Sequence, residues 1–178
     1  MKLNNALQRV IFGLAAIGMP VLNSHLYAAN MTSTQFTITG ILEAKTCSFN
    51  ETALTVNLPE VDTRSLNNSN AIQGKTYFTL TVNCSGGVST VDITPSGSAI
   101  SNGDNSLFQN SQSAQNVGLR LLDKDGNILT PDGQKKVSID YTASGGKSTF
   151  SAGYVATGTG RVTGGGFQSI IIFLLDYS

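Results

Sequence analysis

The sequence predicts an all-β secreted domain, on three observations: a secretory leader at its start, a body rich in Thr, Ser, Val, Ile, Asn and Gly without helical periodicity, and several segments of alternating apolar residues. Lys2 and Arg9 precede an uncharged stretch from Val10 to Leu22, followed by polar Asn23-Ser24-His25 and the small pair Ala28-Ala29. That is the order of a signal peptide, residues 1–28, with cleavage expected after Ala28. Its apolar part is too short to span a bilayer as a mature helix, and Gly13, Gly18 and Pro20 weaken it further, so no membrane insertion of the mature chain is expected.

Cleavage leaves 150 of the 178 residues, the size of one domain, large enough to bury about 70% of the surface its unfolded chain exposes. The cut removes Lys2 and Arg9, so 9 basic residues face 11 acidic ones and the mature net charge is near −2. Such a balance gives no electrostatic footprint for nucleic acid or an anionic membrane. Cys47 and Cys84 both remain, and export to an oxidising compartment makes a disulfide between them the default expectation.

Alternation justifies the strands in turn. Phe36, Ile38, Gly40 and Leu42 share one face of an extended segment; Leu54, Val56 and Leu58 share another; Phe78, Leu80 and Val82 lead to Cys84. Further strands are expected over Thr90 to Thr94, Val117 to Leu122, Ile128 to Thr130, Lys136 to Tyr141, Ser148 to Thr157 and Phe167 to Tyr177. Between them, Leu66 to Gln73 and Pro95 to Gln115 read as polar loops, the second long and mobile. Glycines 145, 146, 158, 160, 164, 165 and 166 mark bends between the last strands. Ile170 to Leu175 is continuously apolar, which predicts burial on both faces and an edge that something must cover.

Catalysis is not expected. The single histidine, His25, lies in the signal peptide, which removes Ser–His–Asp, Cys–His and histidine-ligated zinc chemistry from the mature chain. Asp123, Asp125, Asp132 and Asp140 are not aligned by any pattern that pairs acids in a cleft. Asp123-Lys124-Asp125-Gly126-Asn127 has the oxygen spacing of a calcium-loop start, but it sits between Leu121-Leu122 and Ile128-Leu129 and lacks the closing Glu, so a hairpin turn is expected. No cofactor and no metal are expected.

At this point the chain resembles the subunits assembled by the chaperone–usher pathway, most closely the small single-domain pilins of type 1 fimbriae. The residues that carry the resemblance are Phe36-Thr37-Ile38-Thr39-Gly40 before Cys47, Gly74 to Cys84, Val117 to Asn127, and a terminal pattern of Ile171, Phe173, Leu175 and Tyr177 preceded by Gly165. Ser169 interrupts the alternate apolar row that begins at Phe167.

The resemblance implies an incomplete immunoglobulin-like β-sandwich over residues 46–178, completed by donor-strand complementation, with residues 29–45 as the N-terminal donor extension. Phe36, Ile38, Gly40 and Leu42 would enter a neighbour; Gly165, Phe167, Ile171, Phe173, Leu175 and Tyr177 would border the groove that receives a strand. It further implies a periplasmic pilus chaperone, an outer-membrane usher and other pilus subunits as partners, in a Gram-negative bacterium that exports the chain through the periplasm to a cell-surface fimbrium. The function implied is a shaft or adaptor subunit polymerising head to tail. The alternative is a small afimbrial or poly-adhesin subunit that binds a host receptor or glycan directly.

Overall fold

The computed structural model describes residues 36–42, 44–67, 71–142 and 145–178; the signal peptide and residues 29–35 of the expected extension lie outside these. Residues from Ile41 onward form one compact unit, and the fold is that of this unit. Its elements are β1 (Thr46–Phe49), α1 (Thr63–Asn67), β2 (Gln73–Ser85), β3 (Val91–Gly97), β4 (Phe108–Gln109), β5 (Val117–Leu122), β6 (Ile128–Leu129), β7 (Val137–Ile139), β8 (Gly146–Ala156) and β9 (Ile171–Tyr177).

All pairings between the strands are antiparallel. One sheet runs β1-β2-β8-β5-β4, with β6 on β5, and the other runs β7-β3-β9. Alternation builds the core: Leu80 and Val82 of β2, Val91 and Ile93 of β3, Leu119 and Leu121 of β5, Val137 and Ile139 of β7, and Phe150 and Ala152 of β8 point into one buried cluster between the sheets. This is the all-β, immunoglobulin-like architecture expected.

Two devices fasten the end of the sandwich where β1 enters. Cys47 and Cys84 are direct partners across β1 and β2 and are joined by a disulfide with Cα atoms 4.1 Å apart. It closes a loop of 37 residues, worth roughly 3–4 kcal/mol in the chain-entropy picture. The Tyr141 hydroxyl donates to Cys84 O at 2.7 Å and accepts from Cys84 N at 3.1 Å, tying the chain after β7 to the same spot. Gly86, at φ +78°, sits where an added Cβ would stand 2.5 Å from Ala44 O, so only glycine lets residues 44–45 pass this close.

The structure departs from the expected elements in several places. The segment 54–58, expected as a strand, belongs to no ladder among the described residues. A one-turn helix, α1, follows it, begun by Asp62, whose carboxylate accepts from Arg64 N at 2.9 Å. The expected strand from Phe167 starts only at Ile171, because residues 166–168 bond to the loop 110–114 rather than to β3. Residues 36–42 are outside any strand, with Phe36 82% and Ile38 94% exposed.

The stretch from Pro95 to Gln115 is not a free loop. It finishes β3, forms β4, and lays Ile100 and Leu107 against Val155 and Ile72 on the outer face of the larger sheet. Gly118 makes room for it, since a Cβ there would stand 2.9 Å from the Leu107 side chain, and Gly153 likewise makes room for Ile72, 2.7 Å from where its Cβ would be. Arg120 then reaches from β5 to Asp104 at 2.5 Å and to the Ser106 hydroxyl at 2.8 Å. Burial pushes the Asp104 carboxyl up, but the bonds from Ser106 and Arg120 outweigh it and hold the group below the ordinary carboxylate range. The hairpin at Asp123 is a turn: its carboxylate accepts from Asp125 N, Asn127 N and the Asn127 amide at 2.8–2.9 Å. Among the described residues no cluster of metal-ligating side chains occurs.

Candidate functional site

An elongated groove of about 920 Å³ opens the sandwich along one side. One wall is the unpaired segment 51–58, the other is 166–173, and Phe78, Leu80, Leu119, Ala152 and Tyr154 lie at the base. Its apolar floor continues the core. Phe78 stacks on the fully buried Phe150 with centroids 5.6 Å apart, and Phe173 leans on both rings at 6.2 and 5.2 Å. These are favourable offset and edge contacts, with Phe150 sealed beneath and Phe78 and Phe173 facing the groove.

Both walls carry free backbone. Among the described residues β9 pairs with β3 alone, from Gly97↔Ile171 to Val91↔Tyr177, so its other edge has no strand beside it. Among the described residues, 52–58 make no ladder bonds on either side. An apolar floor beside the unpaired edge of β9, with an unladdered segment along the other side, is a geometry that admits one further strand, whose main chain bonds to the edge while alternate side chains fill the floor.

The inward and outward rows of β9 differ in a way that corrects the expected double burial. Ile171, Phe173 and Leu175 are half-buried against the core, whereas Ile170, Ile172 and Leu174 are 68%, 57% and 54% exposed. The period-2 geometry of a strand sends them outward, and among the described residues no second layer covers that face. Lys136 pairs with Asp176 there at 3.1 Å.

Of the residues expected at the groove, Phe167, Ile171 and Phe173 line it, and Phe167 packs edge-on to Tyr154 at 4.8 Å. Leu175 packs on the core beyond the lining, and Tyr177 is 38% exposed at the strand's end. Gly165 stands where a Cβ would lie 2.7 Å from both Ala114 N and the Ser113 hydroxyl, so its role is clearance for the loop 110–114. Ser169 also lines the groove, and its hydroxyl is buried without a hydrogen-bond partner. Sequence reasoning missed the wall 51–58 as a groove element, although Leu54, Val56 and Leu58 alternate; it also missed Gln112 and Tyr154.

A family model described as fimbrial protein matches residues 32–178. The chain belongs to the fimbrial protein family. This fimbrial protein is 31% identical to protein FimG of Escherichia coli (strain K12) over 166 residues, 93% of this chain and 95% of that one. Among solved structures it superposes on the P pilus rod subunit PapA with a TM-score of 0.58 at 14% identity, covering 82% of this chain and 100% of the other. The P pilus adaptor subunit PapF gives a TM-score of 0.52 at 19% identity, covering 74% and 95%. At these identities the two structures establish a shared fold.

Proposed function

We propose that this fimbrial protein is a structural shaft or adaptor subunit of a chaperone–usher pilus, that its groove accepts a strand from outside, and that its own residues 29–45 serve a neighbour in the same way. The observation that carries the reading is the open groove beside the unpaired edge of β9, with Phe78, Leu80, Leu119 and Ala152 at its base and Phe173 in its wall. A periplasmic chaperone fills it first and keeps the subunit soluble; the extension of the next subunit replaces that strand at the outer-membrane usher. Open head-to-tail contacts of this kind propagate into a filament. The chain then travels through the periplasm to the cell surface, and it needs no catalytic group to do so.

The donor is Phe36, Ile38, Gly40 and Leu42 on one face. Phe36, Ile38 and Leu42 are 82%, 94% and 102% exposed, and burying each in a neighbour's groove contributes about 1.5–3 kcal/mol before ordering costs. Among the described residues no atom stands within 4 Å of a Cβ added at Gly40. Under this reading the glycine permits close approach to the acceptor's floor. Gly40→Trp is therefore expected to leave the variant's own fold and acceptor function intact and to block its donation. A mixed assembly with unsubstituted subunits tests this: the variant should be found only at chain ends where no donation is required of it. Variant incorporated throughout the polymer at the normal level would contradict the proposed donor face.

A further inference from the structure

We infer that Asn110 is the positioning residue of one end of the groove, fixing the Gly166–Gln168 wall so that an incoming strand can seat there; this rests on the strand-acceptance reading above. Asn110 does not line the groove itself. Its side-chain amide makes four hydrogen bonds: Nδ2 donates to Ala114 O at 2.8 Å and to Gln112 O at 3.3 Å, and Oδ1 accepts from Gln112 N at 3.0 Å and from Gln168 N at 2.9 Å. Two donors and two acceptor sites are all that such an amide has. The first three bonds shape the turn 110–114, and the fourth ties that turn to the groove wall.

The shaped turn then occupies one edge of the wall. Ser111 N donates to Gln168 O at 2.8 Å, Ala114 N to Gly166 O at 3.0 Å, and Gly166 N to the Ser113 hydroxyl at 2.9 Å. Residues 166–168 are therefore paired on one side before β9 begins, and the bare glycine at 165 lets the turn approach. A wall held on one edge presents the other in extended form to a strand entering the groove. Without the turn, residues 166–168 have no strand on either side to hold them, since the β3 ladder starts at Ile171.

The test uses the full mature chain and a synthetic peptide of residues 30–42 as the strand probe. Asn110→Ala is expected to weaken peptide binding about tenfold, the worth of one or two hydrogen bonds, and to speed amide exchange at Gln168. Asn110→Asp keeps both accepted bonds, so it should hold Gln168 exchange slow and recover most of the affinity. Two shortened peptides, 34–42 and 30–38, separate positioning from general loss of stability: the Asn110→Ala deficit should vanish for one and persist for the other. An equal deficit with both, or unchanged exchange at Gln168 in Asn110→Ala, overturns the inference alone. Failure of the 30–42 peptide to bind the unsubstituted chain overturns the strand-acceptance reading and this inference together.

Discussion

A mature chain lacking residues 30–42 is expected to form no head-to-tail polymer while keeping a groove that still binds the missing segment as a peptide. The large apolar side chains of this stretch that the structure describes are open to water, Ile41 at 90% and Leu42 at 102% among them, so removing them takes little from the folded domain. What is lost is the donor strand and with it the main-chain bonds and side chains delivered to a neighbour. Assembly read on unboiled denaturing gels should give ladders for the whole chain and a single band for the truncated one. Ladders that survive the deletion, or a truncated chain that no longer takes the peptide, would contradict this division of labour.

Phe173→Ala should be the most damaging single substitution in β9. Its ring touches Phe150 and Phe78, joins the strand to the core and forms part of the groove floor. Truncating a large aromatic side chain in a core costs about 3–5 kcal/mol, and Phe173, half-buried before a strand arrives, belongs near the lower figure. The neighbouring Ile172→Ala removes an aliphatic side chain of the outward row, 57% exposed, and should cost less than about 1 kcal/mol. Denaturant unfolding of the two variants without added peptide measures the contrast. Equal costs would mean that the two rows of β9 are not divided between core and solvent as described.

The sequence displayed the strands whose apolar residues alternate over a full buried face, such as β2 with Phe78, Leu80 and Val82 and β5 with Leu119 and Leu121, because burial on one face imposes that period. It hid elements made by tertiary bonding. Nothing local marks Ile100 and Leu107 as a cover for the outer sheet face; Leu107 can lie there because Gly118 beneath it has no side chain. The turn at Asn110 reads in sequence as a mostly polar run; three bonds of its amide to Gln112 and Ala114 shape it, and its bond to Gln168 N joins the others that tie it to a distant wall. Continuous apolarity from Ile170 to Leu175 was read as burial on both sides, whereas pattern alone does not say whether a second layer exists to cover the outward row.

Residue-resolved amide exchange across β9, comparing the uncomplemented chain with the polymer, tests the central claim most directly. With β3 on one side only, alternate amides of Ile171–Tyr177 should exchange quickly in the free subunit and become protected on assembly. Uniform protection of the whole strand before assembly, or fast exchange that persists within the filament, would show that no strand from another chain pairs with this edge.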